Sequence, residues 1–383
     1  MTTSRVPRVL LAPDKFKGSL PAPEVAAALA RGLTRARPDA EVVALPVADG
    51  GEGTLAAAVA AGFTRVPATA TGPTGEPVGT AWARSGGTAV VEMADVSGLA
   101  RLPGGRAAPR TATSRGTGEL VAAALDAGAR RVVLGIGGSA TTDGGAGLLQ
   151  ALGVRLLDAD GVELGPGGAA LERLARVDLA GRHPALAGAE VLVACDVDNP
   201  LTGPEGAAAV YGPQKGAGPD DVALLDRCLG RFADVVAAAT GRDLRGEPGA
   251  GAAGGVGFAA LAVLGAALRP GIGLLLDLLD FPGHVRGADL VVTGEGSLDE
   301  QSLRGKAPVG VARVAREAGA TVVAVCGVRA LDDAQLRAAG FAAAYALADL
   351  EPDPARSMAG AAPLLERLGA ELLGQHLTAR PAR

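Results

Sequence analysis

The chain has 383 residues and a net charge of −5, and 48% of its residues are hydrophobic against 20% that are charged. These proportions exclude an intrinsically disordered chain, and the length predicts two or three domains. Six Phe, two Tyr and one Trp offer few rings for stacking on bases, and the slight acidity gives no basic field along a duplex. We therefore expect a globular protein that does not bind nucleic acid.

Short apolar runs alternate with Ala-rich amphipathic stretches, which is typical of parallel strands joined by crossover helices. Near the N-terminus the pattern predicts strands over Arg8–Ala12 and Glu41–Val47, a helix capped by Ser19, and a helix over Thr54–Ala61. Near the C-terminus it predicts strands over Asp289–Thr293, Thr321–Val325 and Ala342–Ala346, and helices over Pro308–Ala318, Asp333–Ala339 and up to about Gln375. We expect the tail, Thr378–Arg383, to be frayed.

The middle of the chain has a different pattern. It opens with hairpin-like strands over Thr64–Thr71, Val78–Arg84 and Thr88–Met93, followed by a helix over Gly118–Ala127 and a strand over Arg131–Ile136. We therefore predict an α/β fold in which one domain, residues 1–66 plus 288–383, is interrupted by an inserted α/β domain, residues 67–287.

Neither a membrane segment nor a disulfide framework is expected. The first apolar run is only about four residues long, whereas a signal peptide needs about 7–15. The uncharged window Gly249–Leu268 is rich in glycine, so we interpret it as a loop followed by a buried helix. Three isolated cysteines, Cys195, Cys228 and Cys326, favour a reducing compartment, and we predict a cytoplasmic protein.

Glycines and acids follow five of the apolar runs. In open parallel sheets ligands bind beyond the carboxyl ends of the strands, so these loops indicate a site for a phosphorylated ligand. Glycine is frequent throughout this chain, with 58 residues, and no single glycine motif is therefore specific. The five loops begin at Asp14, Asp49, Gly137, Asp196 and Gly294.

The chain has four lysines, Lys15, Lys17, Lys215 and Lys306, and its other basic residues are arginines. All four lie in polar loops that contain glycine. A lysine that persists against this bias toward arginine indicates a need for a compact ammonium group, so we expect at least two of them to contact phosphate or a substrate carboxylate.

The segment Asp196-Val197-Asp198-Asn199 contains the one asparagine of the chain. Oxygen ligands at this density suit Mg²⁺, which one or two acids and phosphate oxygens hold in many kinases. A turn before Pro200, closed by the asparagine side chain, explains the segment equally well.

Three functions can be weighed for a protein with such loops. None of the histidines lies near a candidate nucleophile, which disfavours a hydrolytic triad. The segment Gly135–Ala140 fits G-x-G-x-x-A, with Asp158 about 20 residues later, and so a dinucleotide-dependent dehydrogenase of a small hydroxy acid is the main alternative. Residues 141–145 interrupt the helix that such a motif requires. A non-catalytic sensor would bind ligand without turnover, and five acid-rich loops disfavour it.

Seven motif-rich segments follow one another along nearly the whole chain. They are APDKFKGSL (12–20), PVADGGEGT (46–54), GIGGSATTDGGAGLLQALG (135–153), ACDVDNPLTGP (194–204), YGPQKGA (211–217), GAAGGVG (251–257) and VVTGEGSLDEQSLRGKAPVGVA (291–312). In this order they resemble the signature blocks of the type I glycerate kinase family. The resemblance implies ATP-dependent phosphorylation of glycerate, usually at the 2-hydroxyl, and a Rossmann-like domain interrupted by a second α/β domain.

Phosphoryl transfer needs positioning, charge neutralisation and removal of the hydroxyl proton, and the loop residues can supply each. We expect the active site to lie in the cleft between the two domains. The expected catalytic residues are Asp49 or Asp196 for the proton and Lys306 for the phosphoryl charge. The expected substrate residues are Asp14, Lys15, Glu295 and Asp299. The expected nucleotide residues are Gly137, Gly138, Ser139, Thr141, Thr142 and Lys215, and the expected Mg²⁺ ligands are Asp196 and Asp198.

The chain departs from the family pattern at three positions. Thr142 stands where the family often has Asn, Asp198 where Asn is frequent, and Ser297 where a basic residue is common. The last change puts a phosphate contact in doubt. The 2- or 3-hydroxyl preference and the oligomeric state do not follow from the residues.

Overall fold

The computed structural model describes residues 6–376. The strands are β1 (Arg8–Pro13), β2 (Glu41–Ala44), β3 (Thr64–Thr71), β4 (Pro77–Ser85), β5 (Thr88–Glu92), β6 (Arg131–Gly135), β7 (Arg155–Leu157), β8 (Arg176–Asp178), β9 (Glu190–Ala194), β10 (Ala267–Arg269), β11 (Leu290–Leu298), β12 (Thr321–Arg329) and β13 (Ala343–Ala346). The α-helices are α1 (Ala22–Ala36), α2 (Thr54–Ala60), α3 (Ala94–Ser97), α4 (Arg115–Asp126), α5 (Ala146–Ala151), α6 (Ala207–Tyr211), α7 (Pro219–Thr240), α8 (Ala252–Ala259), α9 (Gly271–Leu278), α10 (Phe281–Val285), α11 (Ala307–Glu317), α12 (Asp333–Ala339), α13 (Pro354–Ala359) and α14 (Ala361–His376). The tail predicted to be frayed, residues 378–383, lies outside the described residues.

The chain divides into two compact units. Unit 1 comprises the chain up to Asp49, Ala56–Ala61 and the chain from Ile272 onward. Unit 2 comprises Gly50–Leu55 and Gly62–Gly271. The domain boundaries predicted at residues 66 and 287 stay a prediction.

Unit 1 is built on a five-stranded sheet with the order β13-β12-β11-β1-β2, in which all neighbouring pairs are parallel. Side chains of β1 alternate between two cores. Val9 and Leu11 pack with residues of α1 and α14, and Leu10 and Ala12 pack with residues of α11 on the opposite face. A parallel sheet buried on both faces is the arrangement of α/β proteins, so the predicted fold class is confirmed.

Unit 2 contains a six-stranded sheet with the order β10-β9-β6-β5-β4-β3. Strands β10, β9, β6 and β5 are parallel, whereas β4 and β3 are antiparallel, as the hairpin-like sequence predicts. A separate ribbon pairs β7 with β8. In the core, Phe232 and Phe258 meet edge to face with ring centroids 5.6 Å apart.

Five of the predicted elements need correction. Helix α4 begins at Arg115 rather than Gly118, and strand β12 runs on to Arg329 rather than ending at Val325. Helix α1 begins at Ala22 with Pro21 in the N-cap position, so Ser19 lies too early in the chain to cap it; the Ser19 hydroxyl donates a hydrogen bond to the Met358 carbonyl oxygen at 2.7 Å. Strand β2 ends at Ala44 and is shorter than predicted. Strand β11 runs on to Leu298, since its second half stays paired with β12 after β1 has ended.

The uncharged window over residues 249–268 forms α8, a short π-helical segment over Ala260–Leu264, and β10. Most of its side chains are buried in the core of unit 2. Among residues 6–376, no helix combines the length and the apolar character that crossing a membrane requires.

Helices α1 and α14 approach each other closely on one face of the unit 1 sheet. A Cβ placed on Gly32 would lie 1.9 Å from the Glu366 carbonyl oxygen, and one placed on Gly369 would lie 2.5 Å from the Leu29 carbonyl oxygen. The two glycines therefore let the backbones touch.

Replacing Gly32 by Ala should destabilise the protein by about 1–3 kcal/mol, because the added methyl group forces the helices apart. The matched control is Gly230→Ala in the middle of α7, where nothing lies within 4 Å of an added Cβ. That change should stabilise the protein by about 0.5–1 kcal/mol, since alanine is the better helix former. Denaturant unfolding measures both, and a Gly32→Ala protein as stable as wild type would contradict the close approach.

Candidate active site

Three acidic residues lie together where strands of unit 1 end. Pro13 of β1 stands in register with Gly294 of β11, and the Asp14 N–H donates to the Gly294 carbonyl oxygen at 2.8 Å. Beyond β2, the Val47 N–H donates to the Pro13 carbonyl oxygen at 2.9 Å, which carries the chain past β1 toward Asp49. Asp14 follows β1, Asp49 follows β2, and Glu295 lies within β11 just beyond the residue paired with Pro13. The three acids are therefore neighbours where β1 and β2 end, and their charges interact.

Asp14 is the most enclosed of these acids, with only 6% of its surface exposed. Its Oδ1 accepts a hydrogen bond from the Lys15 N–H at 2.6 Å, and the Lys15 Nζ lies 3.8 Å from the same oxygen. Burial raises the pKa of Asp14 to about 7, although the Lys15 charge opposes the rise; the negative charges of Asp49 and Glu295 add to it. Asp14 can therefore gain or lose a proton near neutral pH.

Glu295 is also buried, with 9% of its surface exposed. Burial raises its pKa, while a hydrogen bond from Ser302 and the positive charge of Lys306 act in the opposite direction. Its Oε1 is enclosed and has no hydrogen-bond partner among the described residues. An enclosed carboxylate oxygen without a partner is costly, and a ligand hydroxyl would satisfy it.

Asp299 and Lys306 lie near Glu295, on the segment that links β11 to α11. Partial burial raises the pKa of Asp299, but hydrogen bonds from the Gln301 N–H and the Ser297 hydroxyl outweigh it, and the pKa lies below its ordinary value. Lys306 directly precedes α11 and its Nζ donates to the Gln301 Oε1 at 3.4 Å. The segment therefore adds one fixed carboxylate and one cation to the acids of unit 1.

In unit 2, two glycine-rich loops pack backbone to backbone. The Gly137 N–H donates to the Gly50 carbonyl oxygen at 3.2 Å, and a Cβ on Gly137 would lie 2.7 Å from the Gly51 Cα. Gly50 and Gly138 have φ angles of +88° and +74°, which other residues rarely adopt. Part of the glycine content here thus serves loop packing.

Lys215 reaches the loop after β6 from the protein interior. Only 2% of its surface is exposed, and its Nζ donates to the Ser139 Oγ at 2.8 Å and to the Thr141 carbonyl oxygen at 2.6 Å. Burial lowers the pKa of this ammonium group to about 7, against the opposing charge of Asp143. Lys215 therefore holds the loop in shape from within.

The hydroxyls of Thr141 and Thr142 occupy the same loop. Both residues are fully buried, and neither Oγ1 has a hydrogen-bond partner among the described residues. Two adjacent hydroxyls without partners cost about 1–3 kcal/mol each, so they mark a place that a polar ligand would complete.

The sequence Asp-Gly-Gly-x-Gly occurs at Asp49 and again at Asp143, and the second motif has a structural role. Asp143 is fully buried, and its carboxylate accepts hydrogen bonds from the Ser114 N–H and hydroxyl, both at 2.8 Å, and from the Gly145 and Gly147 N–H groups. It fixes the end of the loop, whereas Asp49 of the first motif lies among the acids of unit 1.

The segment after β9 carries two exposed carboxylates, Asp196 and Asp198. The Asp196 Oδ1 accepts a hydrogen bond from the Gly271 N–H at 2.7 Å. The Asn199 side chain is used within the loop, since its Nδ2 donates to the Glu205 carbonyl oxygen and its Oδ1 accepts from the Tyr211 hydroxyl at 2.6 Å. Asn199 thus shapes the turn.

Residues 6–376 contain no cluster of three or more His, Cys, Asp or Glu side chains suited to a metal ion. A pair of carboxylates nevertheless fits Mg²⁺, which takes most of its ligands from water and phosphate oxygens in kinases. Asp196 and Asp198 have the charge and the exposure for that role.

Glu92 lies outside the motifs of the sequence, yet its carboxylate positions a loop of the candidate site. This buried acid ends β5, and its two carboxylate oxygens accept hydrogen bonds from the Gly53 N–H at 3.2 Å and the Leu55 N–H at 2.8 Å. It holds the loop after Asp49 at the start of α2. The sequence does place this acid directly after an apolar run, as in the five loops, but no glycine follows it and the pattern was therefore not recognised.

Comparison with known proteins decides the family. The model of the glycerate kinase family matches residues 9–376. The chain belongs to the glycerate kinase family. It is similar to the glycerate kinase of Bacillus subtilis strain 168, at 50% identity over 84% of this chain and 85% of the relative. The glycerate 2-kinase of Escherichia coli K12 is 48% identical over the same shares of the two chains.

A solved structure agrees with this assignment. The crystal structure of a candidate glycerate kinase 2 from Salmonella typhimurium LT2 matches with a TM-score of 0.85 and 42% sequence identity. The match covers 97% of this chain and 98% of the other. The predicted resemblance is confirmed, and this member of the glycerate kinase family is a kinase and hence a transferase.

The dehydrogenase alternative is not supported. In a dinucleotide-binding fold the glycine motif leads directly into a helix. Here α5 begins only at Ala146, and the Thr141–Gly145 segment lies between it and the motif. The first turn that such a cofactor needs is therefore missing after β6.

Replacing Asp14 by Asn should stabilise this enzyme at alkaline pH. The native state keeps the proton of Asp14 up to about pH 7, whereas the unfolded chain loses it near 3.8, so the free energy of unfolding falls as the pH rises between these values. The Asn variant escapes that loss. We expect a gain of about 1–3 kcal/mol at pH 8 and of less than about 1 kcal/mol at pH 4.5.

Urea unfolding at the two pH values measures this difference. Asp39→Asn is the matched control, because Arg37 holds the pKa of the exposed Asp39 below its ordinary value. The control should not gain stability at pH 8. An Asp14→Asn protein less stable than wild type at pH 8 would contradict the burial cost assigned to this carboxylate.

Proposed function

We propose that this enzyme transfers the γ-phosphoryl group of ATP to the 2-hydroxyl of D-glycerate, with Mg²⁺, and releases 2-phosphoglycerate and ADP. One observation carries the proposal: in a chain of this family, Asp14 and Lys15 follow the parallel strand β1 directly and Asp196 follows β9, at the carboxyl ends where α/β proteins bind ligands. Similarity to the glycerate kinase of Bacillus subtilis supports glycerate as acceptor, and similarity to the glycerate 2-kinase of Escherichia coli supports the 2-hydroxyl.

We assign glycerate to unit 1. Glycerate carries one carboxylate and two hydroxyls, and this group of residues offers both kinds of partner. Lys15 is proposed to face the substrate carboxylate, while Asp14, Glu295 and Asp299 accept hydrogen bonds from hydroxyls. The unpartnered Glu295 Oε1 supports this assignment, because a hydroxyl is the donor that it needs.

We assign the nucleotide to unit 2. The backbone N–H groups of residues 137–142, with Ser139, are proposed to hold the phosphates, as glycine-rich loops do in other kinases. The Thr141 and Thr142 hydroxyls would add direct contacts. Lys215 contributes by fixing the loop through its bonds to Ser139 and Thr141, and its positive charge would favour phosphates bound there.

The transfer step needs a cation, a base and a metal. Lys306 is proposed to neutralise charge on the moving phosphoryl group, and Asp49 or Asp196 is the base that the sequence suggests. Asp196 and Asp198 are the proposed Mg²⁺ ligands. The ion, when bound, would neutralise phosphate charge. We further propose that the predicted domains bring glycerate and nucleotide together at one cleft, and that the enzyme acts in the cytoplasm, in keeping with three free cysteines.

The test of this function is the product. Wild-type enzyme with ATP, Mg²⁺ and D-glycerate should give a ³¹P NMR spectrum with ADP and 2-phosphoglycerate. The product should also feed enolase directly, with no phosphoglycerate mutase present. A product that enolase uses only after mutase is added would overturn the 2-hydroxyl assignment, and the absence of phosphoglycerate would overturn the proposed reaction.

The threonine hydroxyls give a prediction for the nucleotide site. Thr142→Val keeps the side-chain shape but removes a hydroxyl that has no protein partner, so the free protein should be as stable as wild type or more so. If the hydroxyl binds phosphate, the KM for ATP should rise by about tenfold, which corresponds to about 1.4 kcal/mol.

The matched control is Thr117→Val, since the Thr117 hydroxyl is equally buried but donates to the Ser97 Oγ at 2.9 Å. The control should lose stability and keep the KM for ATP. Thermal unfolding and steady-state kinetics measure both variants. An unchanged KM in the Thr142→Val enzyme would remove this residue from the nucleotide site.

A further inference from the structure

We propose that Asp14, and not Asp49 or Asp196, is the general base that accepts the proton of the substrate hydroxyl. This inference rests on the proposed phosphorylation of glycerate. It gives Asp14 a catalytic role in place of the purely binding role that the sequence suggests.

The position of Asp14 supports this role. Asp14 stands directly after β1, whose two neighbours in the sheet are β2 and β11. Its N–H donates to the Gly294 carbonyl oxygen, and the carbonyl oxygen of the preceding Pro13 accepts a hydrogen bond from the Val47 N–H. Its Oδ1 is oriented by the Lys15 N–H at 2.6 Å and lies 3.8 Å from the Lys15 Nζ. The described residues give their hydrogen bonds to Oδ1, so Oδ2 is the oxygen that can receive a proton from a ligand.

The charges around Asp14 make it a suitable base. The groups that face it are the cation of Lys15 and the carboxylates of Asp49 and Glu295, and Lys306 and Asp299 act on Glu295 in turn. Enclosure and two like charges set its proton affinity near the operating pH, at a pKa of about 7. A base with that value is ionised for about half of the time at neutral pH and still binds a proton well.

The two other candidates have weaker claims. Asp196 is exposed, and its Oδ1 already accepts a hydrogen bond from the Gly271 N–H. Asp49 is only half-buried. Asp49 acts on Asp14 through its charge, since a negative charge nearby raises the pKa of Asp14.

The proposed step transfers the γ-phosphoryl group from ATP to the substrate hydroxyl. A bond forms between the substrate hydroxyl oxygen and the γ-phosphorus, and the bond from that phosphorus to the β–γ bridging oxygen breaks. The electron pair of the broken bond leaves with ADP, and the hydroxyl proton passes to the Asp14 Oδ2. Asp14 then releases this proton to solvent, so the cycle needs no further reactant.

The first test is the pH dependence of kcat. In the wild type, kcat should fall by about tenfold for each pH unit below 7, as Asp14 becomes protonated. Lys215 has a similar pKa, but it loses its positive charge above pH 7, so its effect lies on the alkaline side. Asp14→Asn should lower kcat at pH 8 by about 10²–10⁴-fold and remove the acid limb, with a smaller change in the KM for glycerate.

Two charge variants sharpen the test. Asp49→Asn removes a negative neighbour and should move the acid limb to lower pH, whereas Lys15→Gln removes the positive neighbour and should move it to higher pH. The measured quantity is the pH below which kcat falls, and it can be read whatever the absolute kcat of each variant. Loss of the acid limb in Asp49→Asn, or shifts in the same direction, would overturn the assignment to Asp14.

The outcomes separate this inference from the function on which it rests. An active wild type whose Asp14→Asn variant keeps its acid limb would overturn the base assignment and leave glycerate phosphorylation standing. A wild type that forms no phosphoglycerate would overturn both. The circular dichroism of each variant at pH 8 should match that of wild type, which shows that loss of activity is not loss of fold.

Discussion

The enclosure of a carboxylate at the end of a central parallel strand is the constraint on which the site in unit 1 depends. Strand β1 is buried on both faces, so its direction and its end point are fixed by the packing of Val9, Leu10 and Leu11. Asp14 follows at once, where solvent hardly reaches it. The apolar cores stabilise the sheet, and this stability offsets the cost of holding like charges together at its edge.

Unit 2 contains the complementary case. Lys215 is a cation removed from water, and the same physical effect that raises the pKa of Asp14 lowers that of the lysine. The two groups differ in what surrounds them. Lys215 has hydrogen-bond acceptors on the loop it supports, whereas the acids of unit 1 retain an enclosed oxygen, on Glu295, that no described residue satisfies. The first arrangement shapes a loop, and the second is suited to a ligand.

The sequence predicts the fold class, the candidate loops and the family. The alternation of apolar runs and Ala-rich stretches predicts the α/β class, and the position of acids and glycines after those runs predicts which loops carry the chemistry. The ordered motifs predict the family, which the comparison confirms. The fold class and the family are confirmed because apolar periodicity and ordered motifs are local properties of the chain, whereas the assignment of the chemistry to these loops stays a prediction.

The remaining features depend on contacts that are distant in sequence. Lys215 can be buried because Ser139 and Thr141, more than 70 positions away, accept hydrogen bonds from its ammonium group. No local sequence pattern distinguishes it from an exposed lysine. The same holds for Asp14, which is fixed by the backbone of Gly294. Ser19 is a residue type that often caps helices, but Pro21 occupies the N-cap position of α1, and the Ser19 hydroxyl donates to the Met358 carbonyl oxygen.

The central claim is that the carboxylate of Asp14 exchanges a proton near neutral pH within the folded enzyme. Carbon-13 NMR of protein labelled at the aspartate side-chain carboxyls tests it without substrate, and comparison with Asp14→Asn identifies the signal. We predict one aspartate signal that titrates near pH 7 and is missing from the variant. An Asp14 signal that titrates near pH 4, like an exposed aspartate, would contradict the account.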